Sequence, residues 1–295
     1  MDTVGIKVIS RNEINRCIKI LRKYCKLSIG EIKEAIISNN YVVECSYVKE
    51  EGIVNIIKLY KELCDNNIQA QLYEHERITN VEFLENLARV KKFSDKLENG
   101  EVKEDRILPV KSKVHDLKLG IMIAGYSKGD ELTLLEEEYL DLLAEWEEVW
   151  EPEYYNKNLK MISLGILFQV DRAFVKKVKN MLKKSNINDW LYNFLLDSLD
   201  GEQIEVSKEM LFPNTFTTLQ RVVYEENKIE LLKKYLNNDW YNEDCGCYEA
   251  HKSKQNIYYG YWSFEAGAIA KILKINDTQL RDTQYYPYDM VHYKE

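Results

Sequence analysis

The chain has 295 residues, a formal net charge of -8 and a pI near 5.3, with 45% apolar and 31% charged residues. That length holds one large or two ordinary domains, each with its own core. A content of only 12 Gly and 4 Pro suits a compact, helix-rich protein and excludes a disordered one. The acidic balance argues against general affinity for nucleic acid or anionic membranes, which need an excess of Lys and Arg facing phosphates.

The opening MDTVGIKVISRNEINRCIKI has neither the charged leader nor the apolar core of a secretory signal, and no apolar run approaches membrane-spanning length, so a cytoplasmic location is expected. The six cysteines, at 17, 25, 45, 64, 245 and 247, show no disulfide-framework spacing, and reduced thiols are expected. Cys245, Cys247 and His251 cluster in DCGCYEAH but supply only three ligands without CxxC spacing, so neither a metal nor another cofactor is expected.

The first 80 residues alternate short strands and helices. Residues 6–9 read as a strand. Residues 13–26 carry Ile14, Cys17, Ile18, Leu21 and Cys25 at helical spacing. Ser28 and Glu31 have the spacing of a capping box ahead of Ile32, Ala35 and Ile36. A strand over 41–45, a helix over 50–66 and an alternating strand over 68–73 complete a β-α-α-β-α-β order. Residues 5–76, above all CKLSIGEIKEAI and KEEGIVNIIKLYKELCDNNIQAQLYE, resemble the C-terminal domain of the bacterial ribosomal stalk protein. That resemblance implies a small α/β docking or dimerisation module. Residues 91–113, highly charged with Gly100 and Pro109, read as a solvated connector. The expected organisation is α+β: a small α/β domain over 1–85, a linker over 86–113 and an all-α domain over 114–295.

From Leu132 the pattern is helical, with Leu132, Leu135, Tyr139, Leu142, Trp146 and Val149 forming one apolar stripe. Residues 130–153 hold eleven acidic side chains and no Lys or Arg. Such a run is either a solvated helix face or an interaction surface. As a surface, Glu145, Glu148, Glu151 and Glu153 combine charge with the aromatic anchors Trp150, Tyr154 and Tyr155. Lys176, Lys177, Lys179, Lys183 and Lys184 fit an exposed helix face beside acidic neighbours. Further helices are expected over 159–170, 189–199, 216–226 and 228–240, with Pro213 between elements.

The stretch YYGYWSFEAGAIAKIL at 258–273 places Glu265 on an apolar stripe with Tyr258, Trp262, Ile269 and Ile272 if the whole of it is helical. Small residues beside it, including Gly267, allow a close neighbour. Arg281 and the hydroxyls of Tyr285 and Tyr286 are the expected partners of the carboxylate. Glu265 is then either a structural carboxylate or an acid with a raised pKa. No phosphate loop, HExxH helix, GxSxG turn or Cys–His pair supports an enzyme.

KYLNNDWY at 234–241, YYGYWSFEAGAIAKIL, IND at 275–277 and YYPYD at 285–289 together resemble the PoNi family of bacterial immunity proteins, which protect against PoNe-type polymorphic nuclease toxins. YYNKNLKMISLGILFQV and NDWLYNFLLDSLD resemble its upstream helical portion, and the likeness covers about 110–293. The matched signature positions are Tyr258, Tyr259, Gly260, Tyr261, Trp262, Glu265, Asp277, Tyr285, Tyr286, Pro287 and Asp289. The resemblance implies a helical, non-catalytic protein that binds and neutralises a cognate DNA-degrading toxin, with most signature residues structural and Glu265 and Asp289 holding polar contacts. Homo-oligomerisation is compatible with this reading. A scaffold that docks partners through its N-terminal domain is the alternative.

Overall fold

The computed structural model describes residues 3–10, 13–46, 50–74, 77–200, 209–253 and 257–294. The described elements form an α+β chain that divides by internal contacts into two units, one running to Ala124 and the other comprising Gly125–Ser253 and the residues from Ile257 onward.

In the first unit, β1 (Thr3–Val8), β2 (Val43–Ser46), β3 (Ala70–Glu74) and β4 (Arg77–Thr79) form an antiparallel sheet in the order β2-β1-β3-β4. Strand β1 buries Val4, Ile6 and Val8 at strand periodicity, against α1 (Ile14–Leu21), α2 (Ile29–Ile37) and α3 (Glu50–Asp65). On the sheet, Gly5 lies under the Tyr41 ring, where an added Cβ would come within 2.5 Å of Cδ1. The ammonium of Lys7 stands over Tyr41 and Tyr73, 4.6 and 4.8 Å from their centroids. The capping box forms as expected: the Glu31 N–H donates to Ser28 Oγ at 3.2 Å, and the Ser28 N–H donates to Glu31 Oε2 at 2.7 Å.

The charged stretch read as a connector is mostly helical. Helix α4 (Val81–Glu98) packs on α3 through Phe83, Leu84 and Ala88, and α5 (Ile107–Lys128) begins at the far end of the stretch. Lys91 and Asp95 pair at (i, i+4) on α4, and Pro109 falls in the first turn of α5, where its missing N–H costs no helical bond. The division by contacts therefore falls after Ala124, beyond the expected boundaries at 85 and 113.

The second unit contains α6 (Leu132–Trp146), α7 (Tyr155–Leu167), α8 (Arg172–Lys184), α9 (Trp190–Asp200), α10 (Pro213–Tyr224), α11 (Lys228–Lys234), α12 (Phe264–Ile272) and α13 (Tyr288–Val291). Helices α7 and α12 pack together at its centre, and every residue from Phe264 to Ala270 is buried. Two glycines permit close approaches. A Cβ on Gly165 would lie 2.7 Å from Phe174 and 2.8 Å from the Tyr139 hydroxyl, and one on Gly267 would lie 2.7 Å from Pro287. Pro213 opens α10 rather than standing between elements, since the first helical position makes no use of its N–H. The helix expected over 228–240 loosens at Tyr235–Asp239 into a π turn.

Candidate functional site

The acidic run owes its geometry to the apolar stripe of α6. Leu135, Tyr139, Leu142 and Trp146 are buried, which turns Glu137, Asp141 and Glu145 outward along the opposite side, and Glu148, just past the helix end, is exposed as well. Glu153 and Tyr154 are also exposed, and Tyr154 keeps 50% of its surface in solvent. Trp150 is half-buried: its ring meets Trp146 edge-on at 5.4 Å, and its Nε1 donates to Ser185 Oγ at 2.9 Å. Glu151 is half-buried as well, with its carboxylate 3.9 Å from Lys157 and its carbonyl accepting from Asn158. On α8, Lys177 reaches Glu147 at 3.4 Å and Lys179 reaches Asp197 at 2.9 Å, so these lysines sit beside acids.

Tyr155 corrects the expected surface. It opens α7, a helix buried along most of its length, and its ring stacks on Tyr192 at 4.7 Å and meets Phe212 at a tilt at 4.6 Å. Its hydroxyl donates to Asp189 Oδ1 at 3.0 Å, and burial, followed by the Asp189 charge, pushes its pKa well up. Asp189 is fully buried and gathers four donors. Besides Tyr155, the Leu191 and Tyr192 N–H groups bond Oδ1 at 3.0 and 3.1 Å, and the Leu211 N–H bonds Oδ2 at 2.9 Å. The residue stands just before α9, in the position of an N-cap, and that placement was the available sequence signal.

The signature stretch is helical only from Phe264, so Tyr258 and Trp262 do not share a helical stripe with Glu265. Gly260 sits at φ +107°, which a side chain would strain, and a Cβ there would strike Ser127 Oγ at 2.1 Å. Ser127 holds this loop from both sides, donating to the Tyr259 carbonyl at 2.8 Å and accepting from Trp262 Nε1 at 2.8 Å. The Trp262 ring packs on Tyr126 at 4.7 Å. Seven signature residues, Tyr258, Gly260, Tyr261, Trp262, Tyr285, Tyr286 and Asp289, line one open cleft of about 680 Å³ together with Arg281, Asp282 and Tyr288. Arg281 lies over the Tyr288 ring, 4.9 Å from its centroid.

Glu265 is buried, but its partners differ from those expected. Tyr235 Oη donates to Oε1 at 2.8 Å and Ser263 Oγ donates to the same oxygen at 2.7 Å. Arg281 turns to Tyr288, and Tyr286 Oη donates to Asp277 Oδ2 at 2.6 Å. Burial raises the Glu265 pKa against the opposing hydrogen bonds from Ser263, its own backbone N–H and Tyr235, and against the charge of Lys160. Asp277 precedes the short turn Thr278–Leu280 without a side-chain cap bond; its carboxylate joins Tyr286 and His292, whose Nε2 lies 2.9 Å from Oδ1. Asp289 is exposed at the cleft. Pro287 seats on Gly267 and fixes α13 against α12. Among the described residues no group of three or more His, Cys, Asp and Glu side chains is placed to hold a metal ion, and no helix is long and apolar enough to cross a membrane.

Two family models match the chain: PoNe immunity protein (PoNi), N-terminal, over residues 61–180, and PoNe immunity proteins (PoNi), C-terminal, over residues 187–290. The crystal structure of protein PA2201 from Pseudomonas aeruginosa shares the fold, with a TM-score of 0.57 at 15% identity over 82% of this chain and 96% of that one. No curated protein gives a significant sequence match.

Proposed function

This chain belongs to the PoNe immunity protein (PoNi) family, and from that premise we propose that it neutralises a cognate nuclease toxin in the cytoplasm by binding and occluding it, without chemistry of its own. The observation that carries this reading is the outward row of carboxylates on α6, Glu137, Asp141 and Glu145, which continues past the helix end to the exposed Glu148, Glu153 and Tyr154. Nucleases hold phosphates on positive surfaces, so such a row steers toward the same cleft that the DNA occupies. The exposed Leu134 and Leu140 on the same helix, with Tyr154, supply apolar contact beside the charge.

The buried carboxylates do not favour an enzyme. Glu265 is closed in by Tyr235 and Ser263 and is buried on a helix packed at the centre of its unit, where no substrate reaches it. The test is DNA cleavage by the nuclease encoded beside this gene as the protein is titrated in. Loss of cleavage at stoichiometric addition is expected. Undiminished cleavage with no complex formed would replace this reading with a scaffold role or a different toxin.

A further inference from the structure

Cys245 and Cys247 flank Gly246 in a turn whose geometry is fixed from outside. Asn242 Oδ1 accepts from the Asp244 N–H at 2.7 Å and opens the short 3-10 turn Glu243–Cys245. Gly246 then takes a left-handed conformation, φ +70°, that reverses the chain. Asn156 clamps the turn: its Nδ2 donates to the Asp244 carbonyl at 2.7 Å, and a Cβ on Gly246 would lie 2.7 Å from its own Cβ. The result is that the two sulfurs face each other at 3.4 Å. Cys245 is buried, whereas Cys247 is half-buried and reaches the surface.

The pair is also chemically unequal. Hydrogen bonding from the Cys247 thiol, helped by backbone N–H groups and the charge of Lys160, lowers the Cys245 pKa, while Cys247 is pushed up by the same hydrogen bond and by burial.

We propose that Cys245 and Cys247 are a peroxide-oxidisable dithiol that closes to a disulfide across Gly246. One of the two sulfurs attacks an oxygen of hydrogen peroxide and the O–O bond breaks. The departing hydroxide takes up a proton to leave as water, and that cysteine becomes a sulfenic acid. The other thiol then gives up its proton and displaces hydroxide from the oxidised sulfur, forming the S–S bond and a second water. Two thiols are oxidised, one peroxide is reduced, and a small monothiol such as glutathione reverses the step by exchange. A disulfide sets its sulfurs about 2.0 Å apart, and the two sulfurs already lie at 3.4 Å. A reversible disulfide is the form expected of paired thiols in a reducing compartment.

Both cysteines fall in one tryptic segment, 235–252, which contains no other cysteine. The full chain is treated with an equivalent of hydrogen peroxide, the remaining thiols are alkylated, and the digest is weighed. The segment is expected to lose two hydrogens and to escape alkylation, and glutathione is expected to restore double alkylation. In Cys247→Ser and in Cys245→Ser the remaining thiol should stop at the sulfenic acid and be trapped by a β-diketone. If both thiols in the wild-type segment remain alkylatable at a peroxide dose that oxidises the exposed Cys64, the proposal is overturned; that result needs no variant to fold.

Discussion

The carboxylates on the outward side of α6 and the carboxylates of Asp189, Glu265 and Asp277 are the same chemical group in opposite settings. Glu137, Asp141, Glu145 and Glu148 face solvent. The other three are nearly or fully enclosed and each gathers several partners: Tyr155 and Leu211, far apart in sequence, through Asp189, Tyr235 and Ser263 through Glu265, and the nearer Tyr286 and His292 through Asp277. A buried carboxylate must be satisfied or it destabilises the fold, so its partners fix backbone positions. An exposed one leaves the fold indifferent and projects its field outward. Burial, more than residue type, therefore separates the acids that build this protein from those available to a partner.

The largest effect is expected at Asp189. Asp189→Ala strands a buried tyrosine hydroxyl and two buried backbone N–H groups and releases a third at the exposed Leu211, and a loss of at least about 3 kcal/mol is expected from such a network. All five tryptophans, at 146, 150, 190, 240 and 262, lie in the second unit, so urea unfolding followed by tryptophan fluorescence reads that unit directly. A midpoint unchanged from wild type would erase the distinction drawn here.

Glu265 offers a smaller and pH-dependent effect. Burial holds its pKa above the ordinary value, so the folded state binds this proton more tightly than the unfolded chain does. The stability this brings is fully present below the unfolded pKa, about 4.3, and is lost as pH rises through the folded one. Other carboxylates, such as Glu136, have lowered values and act in the opposite direction. The informative quantity is therefore the wild-type stability minus that of Glu265→Gln. That difference should fall as pH rises from about 4.3 and then level off; a flat difference across the whole range would mean that the buried site does not hold the proton.

Much of this was legible in the sequence where a pattern is local. The capping box at Ser28 and Glu31, the stripe of α6 and the burial of Glu265 all follow from spacing within one or two turns. What escaped depends on partners distant in the chain. Tyr235 reaches Glu265 from thirty positions upstream, whereas Arg281 and Tyr285 merely stand nearer the motif in the C-terminal direction. Tyr258 and Trp262 mimic a helical stripe, but the positive φ of Gly260 and the clamp of Ser127 on either side of it make that segment a loop. Helix α4 was hidden because its charged residues outnumber its buried ones. Tyr155 looked like part of the aromatic surface because Tyr154 and Tyr155 are adjacent in sequence, yet the first turn of α7 sends them to opposite sides, one into solvent and one onto Tyr192. The convergence of seven signature residues on one cleft was likewise invisible, since three of them come from the segment after α12.

The smallest effect on the fold, and the one that speaks to recognition, belongs to α6. The double substitution Glu145→Lys with Glu148→Lys should move the urea midpoint far less than Asp189→Ala does, because both side chains are exposed. Its effect should instead appear in association with the nuclease toxin, as a rate lowered roughly tenfold at low salt, with the difference shrinking as ionic strength rises. Net charge alone predicts the same slowing for any two reversals on the surface. The matched control is Glu34→Lys with Glu44→Lys, which alters the formal charge equally but acts on exposed positions of the first unit. If stopped-flow binding shows the α6 pair slowed and the control pair close to wild type, the field is local to α6. Equal slowing would reduce α6 to a contributor of overall charge and shift attention to the tyrosine-lined cleft, where Tyr258 and Tyr261 offer aromatic contact beside Asp282 and Asp289.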